Sequence, residues 1–288
     1  MTILASAQNV AALIKISSPS ALVGSSNDDL VFLKALFEKV AQDLRDDYPW
    51  PELQKEYTFT LATSTSAYSL PGDFHRLHNE TLWNRSQHWP LLGPLTPMEW
   101  QQVKSGNISS FPRQRFRIKG WSSTQFVIDP TPTSSENGQT IAFEYISRSC
   151  IRPKTWTTAT SFAAGTYCSY EGNIYYTSAG GTTGGSAPVH TSGTASDGTV
   201  SWVYQTGSFD SIVKDTDEFI LDPQIIEAGV IWQYKREKGL EYEELKEEWL
   251  QSLEISKTRL QGASIVSLRS EGLQYPTLGI ANYPQGSF

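Results

Sequence analysis

Cysteine is scarce in this chain of 288 residues: Cys150 and Cys168 are the only two. Two cysteines cannot form the disulfide framework on which small secreted domains depend. Long uninterrupted apolar runs are also missing, so we expect no membrane-spanning segment. The N-terminus lacks the basic and apolar regions of a signal peptide. These absences favour synthesis in a reducing cytoplasm and no association with a membrane.

Positive charge is also in short supply. The chain has 23 Lys and Arg against 30 Asp and Glu, which gives a formal net charge of -7. No Lys or Arg occurs between Lys154 and Lys214. Proteins that bind nucleic acid specifically usually carry a basic patch or a high isoelectric point. The composition therefore argues against specific binding of DNA or RNA.

Residues that could carry catalysis or hold a metal ion do not form a recognisable set. His75 and His78 are close in sequence, but a metal site needs three or four converging ligands, and no matching pair accompanies them. Cys150 lies in no nucleophile motif and is interpreted as a small buried apolar residue. The carboxylates of residues 241–248 are typical of a solvated helix face. We therefore expect no catalytic residue, no metal, no cofactor and no enzymatic activity.

Apolar periodicity predicts helices near the start of the chain. A weakly amphipathic helix is expected over residues 3–16. A stronger one, over residues 28–47, begins after the capping residue Asn27 and ends before Pro49. Its apolar residues recur at alternating steps of three and four, which predicts a seam that buries against another helix.

Two further helices are expected between Asp222 and Leu260. Asp222 followed by Pro223 is typical of a helix start, and Gly239 separates the first helix from the second. The pattern leaves open whether the two fold back on each other or form one kinked helix. Neither can bury its apolar stripe alone, so we expect both to pack against the helix of residues 28–47. The residues expected to pack in this bundle are Leu33, Phe37, Val40, Leu44, Ile226, Val230, Trp249 and Leu253.

Between the helices the sequence changes to short β-type runs rich in aromatic residues. The chain contains 9 Trp, 13 Tyr and 12 Phe, a load that favours β-structure and large interfaces. Residues 82–111, with three prolines, are interpreted as a loop-rich stretch. The predicted strands are Tyr57–Leu61, Tyr68–Leu70, Phe116–Trp121, Phe126–Ile128 and Ile141–Ile146.

Residues 154–206 differ in composition from the rest of the chain. Nine of the 21 glycines lie between Gly165 and Gly207, and the remainder is rich in Thr, Ser, Tyr and Trp. The segments on either side are typical of one interrupted domain, so we predict an inserted small β module. Its aromatic side chains either form its core or stack on sugar rings. The candidate glycan contacts are Trp156, Tyr175, Tyr176 and Trp202.

The final segment, residues 272–288, combines apolar side chains with prolines and glycines. It is too short and irregular to form a core, and its prolines and glycines disfavour a helix. Such a segment gains order on the surface of a partner. We expect it to dock on a partner through Tyr275, Leu278, Ile280, Tyr283 and Phe288.

The predicted fold class is α+β. Helices from both ends of the chain form a bundle, and a β-rich domain carries the inserted small all-β module. The core comprises residues 1–150 and 209–288, the inserted module residues 154–206, and the extended docking tail residues 272–288.

Several motifs, taken in order, resemble those of a known family. They are the helix of residues 28–47 followed by Tyr48-Pro49-Trp50, the run Tyr68-Ser69-Leu70-Pro71-Gly72-Asp73-Phe74, the run Phe126-Val127-Ile128-Asp129-Pro130-Thr131-Pro132, the strand Ile141–Tyr145, and Trp232-Gln233-Tyr234-Lys235-Arg236-Glu237-Lys238-Gly239-Leu240 opening into an acidic helix. In this order they resemble the head-to-tail adaptor proteins of short-tailed bacteriophages, of the head-completion or tail-tubular-A-like type. The resemblance covers nearly everything outside residues 154–206.

The segment of residues 154–206 has a resemblance of its own. It is similar to a small β module of phage virion proteins that is related to chitin-binding modules. The motifs that carry this likeness are Gly165-Thr166-Tyr167, Gly172-Asn173-Ile174-Tyr175-Tyr176, Gly184-Gly185-Ser186-Ala187-Pro188, His190-Thr191-Ser192-Gly193, and Asp197-Gly198 with Trp202.

The adaptor resemblance implies a structural virion protein at the head–tail junction, made in the host cytoplasm. It implies a dodecameric ring that binds the portal protein, extends the DNA channel and receives the tail nozzle or tubular protein. A tail fibre and the capsid are further candidate partners. DNA would pass through the channel without specific binding, and an acidic chain suits such a channel because few cations would hold the phosphates.

Two other functions remain open from the sequence. One is a carbohydrate-binding tail or receptor-recognition protein that acts through the inserted module. The other is a cell-wall hydrolase that uses a carboxylate of the Glu241–Glu248 run. A variant without Trp156–Tyr204 separates them, because an adaptor would still form rings and a glycan binder would lose its binding.

Overall fold

The computed structural model describes residues 1–78, 80–106, 114–120 and 125–261, and the protein is an α+β protein. Helices and antiparallel strands alternate along the chain in an irregular order. The α-helices are α1 (Ile3–Ile14), α2 (Asp28–Asp47), α3 (Pro97–Lys104), α4 (Pro223–Glu237) and α5 (Glu243–Gln261), and a short 3-10 helix spans Pro51–Leu53. None of the helices in the described part of the chain combines the length and apolar character that a membrane crossing demands.

The strands are short, and most of them lie in three antiparallel sheets. They are β1 (Gln54–Thr60), β2 (Ala67–Ser69), β3 (Phe74–Leu77), β4 (Trp83–Asn84), β5 (Trp89–Pro90), β6 (Arg115–Lys119), β7 (Gln125–Asp129), β8 (Thr140–Ser147), β9 (Ile151–Arg152), β10 (Ser161–Phe162), β11 (Thr166–Tyr170), β12 (Asn173–Thr177), β13 (Gly181–Thr182), β14 (Thr194–Asp197), β15 (Val200–Gln205) and β16 (Glu218–Phe219).

Capping residues set the starts of α2 and α4. The side chain of Asn27 caps α2 by accepting a hydrogen bond from the backbone N–H of Asp29. Asp222 caps α4 in the same way, with Pro223 in the first helical position, where no N–H is needed. Gly239 follows α4 with a φ of 69°, a left-handed conformation that glycine adopts without strain.

Helices from the two ends of the chain pack together. α4 contacts α1, α2 and α5. The indole N–H of Trp249, in the second turn of α5, donates to the carbonyl of Ile225 at the start of α4 over 2.9 Å. The two helices after Asp222 are therefore folded back on each other, which resolves the alternative that the periodicity left open.

β8 is the central strand of the largest sheet. It pairs with β1 along one edge and with β3 and β4 along the other, and β5 pairs with β4. Its neighbouring residues Tyr145 and Ile146 face opposite sides, as the twofold period of a strand requires. Tyr145 belongs to an apolar cluster between the sheets, and Ile146 belongs to the cluster of the helices. One face of β8 therefore packs in the core between the sheets, and its other face packs against the helices.

A second sheet, in the order β2-β7-β6, covers the first. Phe116 and Phe126 stack on each other within the second sheet, with centroids 4.9 Å apart, and Phe126 stacks across to Phe143 of β8, in the first sheet, at 6.0 Å. All three rings are buried. The aromatic load of the sequence is therefore used, in this part of the chain, to fill the space between sheets.

The expectation of a loop-rich stretch over residues 82–111 is incomplete. This stretch contains β4, β5 and α3. α3 begins with a capping box, in which Thr96 and Glu99 satisfy each other's backbone N–H groups. Pro97 was counted only as one of three prolines in a loop-rich stretch, although proline is favoured at the first helical position. Strands β4 and β5 could not be predicted, because two residues are too few to show an alternation of apolar and polar side chains.

Residues 154–206 have their own strands and their own apolar cluster. Strands β11, β12, β15 and β14 form one sheet, and β10 pairs with β13. The buried residues of this cluster are Phe162, Cys168, Tyr175, Val200 and Trp202. On either side of the segment, the N–H of Ile151 donates to the carbonyl of Phe209 over 3.2 Å, and β9 pairs with β16. The chain therefore enters and leaves the segment of residues 154–206 at adjacent points of the surrounding structure.

Candidate functional site

The residues expected to pack between the helices lie together. Seven of them are buried in a single apolar cluster, and Trp249 packs against it. The cluster includes Leu33, Phe37, Val40 and Leu44 of α2, Ile226 and Val230 of α4, and Leu253 of α5. Introduction of a charge or truncation of a side chain at these positions would therefore disturb the packing of the helices rather than a free surface.

At Gly229, side chains of α2 and α5 lie close to the backbone of α4. A Cβ atom built on Gly229 of α4 would lie 2.7 Å from Cγ1 of Val40 in α2 and 3.1 Å from Nε1 of Trp249 in α5. Real Cβ atoms do not approach other heavy atoms at 2.7 Å. The absence of a side chain here allows α2 and α5 to approach the same turn of α4.

Ion pairs lie at the two ends of this packing. Asp29, at the start of α2, is 2.9 Å from Nζ of Lys238, just after α4. Asp47, at the end of α2, is 2.8 Å from Nζ of Lys257 in α5. All four side chains are partly or largely exposed, so each pair adds little stability. Their positions show that α2 runs antiparallel to α4 and parallel to α5.

Asp73 is the polar centre of the joint between the largest sheet and residues 154–206. Its carboxylate accepts hydrogen bonds from Nζ of Lys55, the hydroxyl of Tyr145 and the hydroxyl of Ser147, each over 2.8 Å. Lys55 also donates to the carbonyl of Gly172, over 3.2 Å. One lysine thus connects a buried carboxylate of the sheet with a turn of the 154–206 segment.

The charge state of Asp73 follows from these contacts. Burial opposes ionisation of its carboxyl, but the Lys55 ammonium and two hydroxyl donors outweigh that effect and hold the pKa of Asp73 below its usual 3.8. Burial, followed by the nearby Asp73 charge, raises the pKa of Tyr145 far above its usual 10. At neutral pH the site therefore consists of a carboxylate, an ammonium and a neutral phenol.

The structure excludes two of the four candidate glycan contacts. Tyr175 and Trp202 are fully buried, so neither ring offers a face to a sugar. The Tyr175 hydroxyl donates to the carbonyl of His190 over 3.1 Å, and Trp202 packs edge-on against Phe162 at 5.1 Å. These two residues are core, because so small a module has few aliphatic residues to fill its interior.

The other two candidates are half-buried and already engaged. The indole N–H of Trp156 donates to Asp197 over 2.8 Å, and its ring packs edge-on against Tyr170. Tyr176 packs on Tyr167 at 5.0 Å, and Tyr167 packs edge-on against Phe209, outside the segment. The structure therefore does not bring the four rings together on one exposed face.

Both cysteines and His75 are already buried or paired. Both cysteines are free and buried, and burial raises the pKa of Cys150 to about 11 and that of Cys168 to about 12. His75 lies 2.9 Å from Asp46, and burial lowers its pKa. Among the described residues, no group of three or more His, Cys, Asp or Glu could hold a metal ion.

The expected docking residues of the tail are Tyr275, Leu278, Ile280, Tyr283 and Phe288, and all of them lie outside the described residues. Sequence reasoning also missed the role of Asp73, which it saw only as part of a motif. Nothing in the sequence pairs Asp73 with Lys55 or Tyr145, because Lys55 lies in β1 and Tyr145 in β8, whereas Asp73 lies just before β3. The one available signal was an acidic residue between a Pro-Gly turn and a strand.

Comparison with known proteins adds no relative: no protein-family model and no curated protein matches this sequence.

Proposed function

We propose that this chain is a structural virion protein, a ring-forming head-to-tail adaptor of a short-tailed bacteriophage. In this proposal it is made in the host cytoplasm and resides at the head–tail junction. It binds the portal protein, extends the DNA channel and receives the tail nozzle or tubular protein. A tail fibre and the capsid are additional candidate partners, and DNA passes through the channel without specific binding.

The observation that carries this proposal is the shared core of helices from opposite ends of the chain. α2 and the α4–α5 hairpin are separated by the whole β-rich region, yet they bury one apolar cluster together. An adaptor bundle with the same order of motifs would have this arrangement. The motif residue Trp50 supports it, because Trp50 is buried and donates to the carbonyl of Leu44 at the end of α2 over 2.7 Å.

The finer architecture is part of the proposal. Residues 1–150 and 209–288 form the adaptor core, a helical bundle with a β domain, and residues 154–206 form an inserted module. The separate apolar cluster of residues 154–206 and the adjacent ends at Ile151 and Phe209 support this division. The burial of Tyr175 and Trp202 speaks against the carbohydrate-binding alternative.

The sequence of the tail, residues 272–288, supports a docking role. Its five apolar anchors would each contribute roughly 1.5–3 kcal/mol if they were fully covered by a partner. Repeated around a ring, such contacts hold two assemblies together although each contact is weak. We propose that the tail grips the portal or a neighbouring subunit. Truncation after Glu271 should then leave a protein that fails to co-sediment with portal-containing heads, and undiminished co-sedimentation would remove the tail from the proposal.

Electron microscopy of the purified chain mixed with purified portal tests the function directly. A second ring stacked coaxially on the portal is the expected image, and portal rings without added density contradict the proposal. Leu33→Asp should abolish the added ring, because it buries an unpaired charge in the helical cluster. Val31→Asp is its matched control, since Val31 lies on the same helix with 52% of its surface exposed, and this variant should assemble normally.

A further inference from the structure

A basic face occurs on the smaller sheet of this acidic chain. In β6, Phe116 is buried and Ile118 packs against the inter-sheet cluster, so Arg115, Arg117 and Lys119 share the opposite face. Arg117 is half-buried and Lys119 is exposed. Among the described residues, neither Arg117 nor Lys119 forms an ion pair.

A buried tryptophan holds part of this face in place. Nζ of Lys119 lies 4.9 Å from the ring centroid of Trp100, and Nζ of Lys104 lies 5.2 Å from the same ring. Trp100 belongs to α3 and is only 3% exposed. Two ammonium groups directed at one indole are restrained before any partner binds, which lowers the entropy lost on binding. Lys104 is also paired with Asp129.

An unpaired acidic run lies on another part of the chain. It consists of Glu241, Glu243, Glu244, Glu247 and Glu248, all of them exposed at or just before the start of α5. None of these glutamates forms an ion pair within the described residues. Because α5 packs on α4 and the basic face covers the inter-sheet cluster, the two charged surfaces belong to different layers.

We propose that the basic face of one copy, with Lys104, Arg117 and Lys119, docks on the acidic run of a second copy. This inference rests on the proposed function and identifies the surfaces between neighbouring subunits. Two different surfaces that complement each other give a head-to-tail contact, which closes into a ring when the rotation is suitable.

Exposed apolar side chains accompany both surfaces. Leu240 and Leu250, 54% and 43% exposed, flank the acidic run. Leu92, which forms a β-bridge with Arg115, and Met98 of α3 are also exposed. Apolar contacts surrounded by charged groups are the usual composition of a specific interface. Nucleic acid fits this face less well, because the glutamates of the same chain and its net charge of -7 repel a polyanion.

Charge reversal of each surface, alone and in a mixture, tests the pairing. The basic-reversed variant carries Arg117→Glu and Lys119→Glu, and the acid-reversed variant carries Glu243→Lys, Glu244→Lys, Glu247→Lys and Glu248→Lys. Each full-length chain is mixed with portal and followed by sedimentation velocity and electron microscopy. Either variant alone should self-associate roughly a hundredfold more weakly than wild type, since like charges then face each other. An equimolar mixture should restore the rings, because the two variants complement each other in alternation.

A matched control separates this effect from net charge. Lys39→Glu with Arg148→Glu makes the same change in net charge as the basic-reversed variant, but at two exposed positions elsewhere, and it should assemble as wild type does. Wild type that forms no ring on the portal contradicts the proposed function itself. Rings formed by wild type and by both reversed variants overturn the pairing alone. Loss of rings without rescue in the mixture also overturns it, as does loss of DNA retention by the basic-reversed variant with its rings intact.

Discussion

The indole N–H of Trp249 donates a 2.9 Å hydrogen bond to the main-chain carbonyl of Ile225, and this bond ties α5 to the first turn of α4. The ring of Trp249 also lies 5.7 Å from that of Trp232. The two helices of the hairpin are thus held by one residue that makes both a polar and an apolar contact.

Replacement of Trp249 by Phe should separate these two contributions. Phe keeps a ring in the cluster but loses the donor, so the free energy of unfolding should fall by about 1 kcal/mol or slightly more. Equilibrium unfolding in denaturant measures the change. Leu250→Ala, next to it but 43% exposed, is the control and should change the free energy by less than about 0.5 kcal/mol. An unchanged value for Trp249→Phe would contradict the role of the hydrogen bond.

Gly229→Ala should destabilise the protein although alanine is the better helix former. Helix propensity alone favours alanine over glycine by about 1 kcal/mol, but the new methyl group would lie 2.7 Å from Cγ1 of Val40. Overpacking of this kind typically costs about 1–3 kcal/mol. Gly185→Ala, where nothing lies within 4 Å, should be nearly neutral.

Combining Gly229→Ala with Val40→Ala tests whether the contact with Val40 is the cause of the destabilisation. The Val40→Ala change removes the methyl group that the new Cβ would meet, so the double variant should lose less stability than the sum of the two single variants. A double-mutant cycle by denaturant unfolding measures this coupling. Strict additivity would show that the close approach of α2 and α4 does not limit the size of residue 229.

The predictions for the helices show what a sequence determines locally. The start of α2 follows from Asn27, and that of α4 follows from Asp222 and Pro223, because capping involves only neighbouring residues. The direction of α5 could not be predicted, since it depends on a contact between Trp249 and Ile225. The same limit hid Asp73, whose partners Lys55 and Tyr145 are brought to it only by the sheet.

The aromatic residues of the 154–206 segment illustrate the limit for strands. A period of two places Tyr175 and Tyr176 on opposite faces of β12, but it does not say which face is inside. Trp202 of β15 settles this, because it is buried on the same side as Tyr175. The sequence alone could therefore not distinguish the buried aromatic residues of this segment from the more exposed ones.

Asp73→Asn should reduce stability at neutral pH and lose its effect in acid. The folded-state pKa of Asp73 lies below its usual value of 3.8. A carboxyl group with a lowered pKa contributes stability that is present above its unfolded pKa and is lost as the pH falls through the folded pKa. We therefore expect a loss of about 2 kcal/mol at pH 7, and a difference from wild type that shrinks below about pH 4.

Denaturant unfolding at a series of pH values tests this dependence. Asp43→Asn, at an exposed position of α2, is the control and should follow wild type across the series. A constant difference between wild type and Asp73→Asn from neutral to acid pH would show that the ionised carboxylate is not the stabilising species.

Removal of residues 154–206, with a short linker between Pro153 and Gly207, should leave a folded remainder. The segment has a separate apolar cluster, and the hydrogen bond between Ile151 and Phe209 is retained. Phe209 would lose its contact with Tyr167, so Phe209→Ser should be included to avoid a newly exposed ring. Thermal melting should show one cooperative transition, whereas a molten or aggregated product would mean that the segment is integral to the fold.

Because the main chain departs at Ile151 and comes back at Phe209 within one hydrogen bond, the gap in the surrounding structure is no wider than a tight turn. Any unit whose own termini lie side by side fits that gap without changing the distance between β9 and β16. We therefore expect that replacement of residues 154–206 by another such unit would leave the helices and their contacts unchanged. In the laboratory this position can accept a fluorescent reporter, displayed at a fixed place on every copy of the protein.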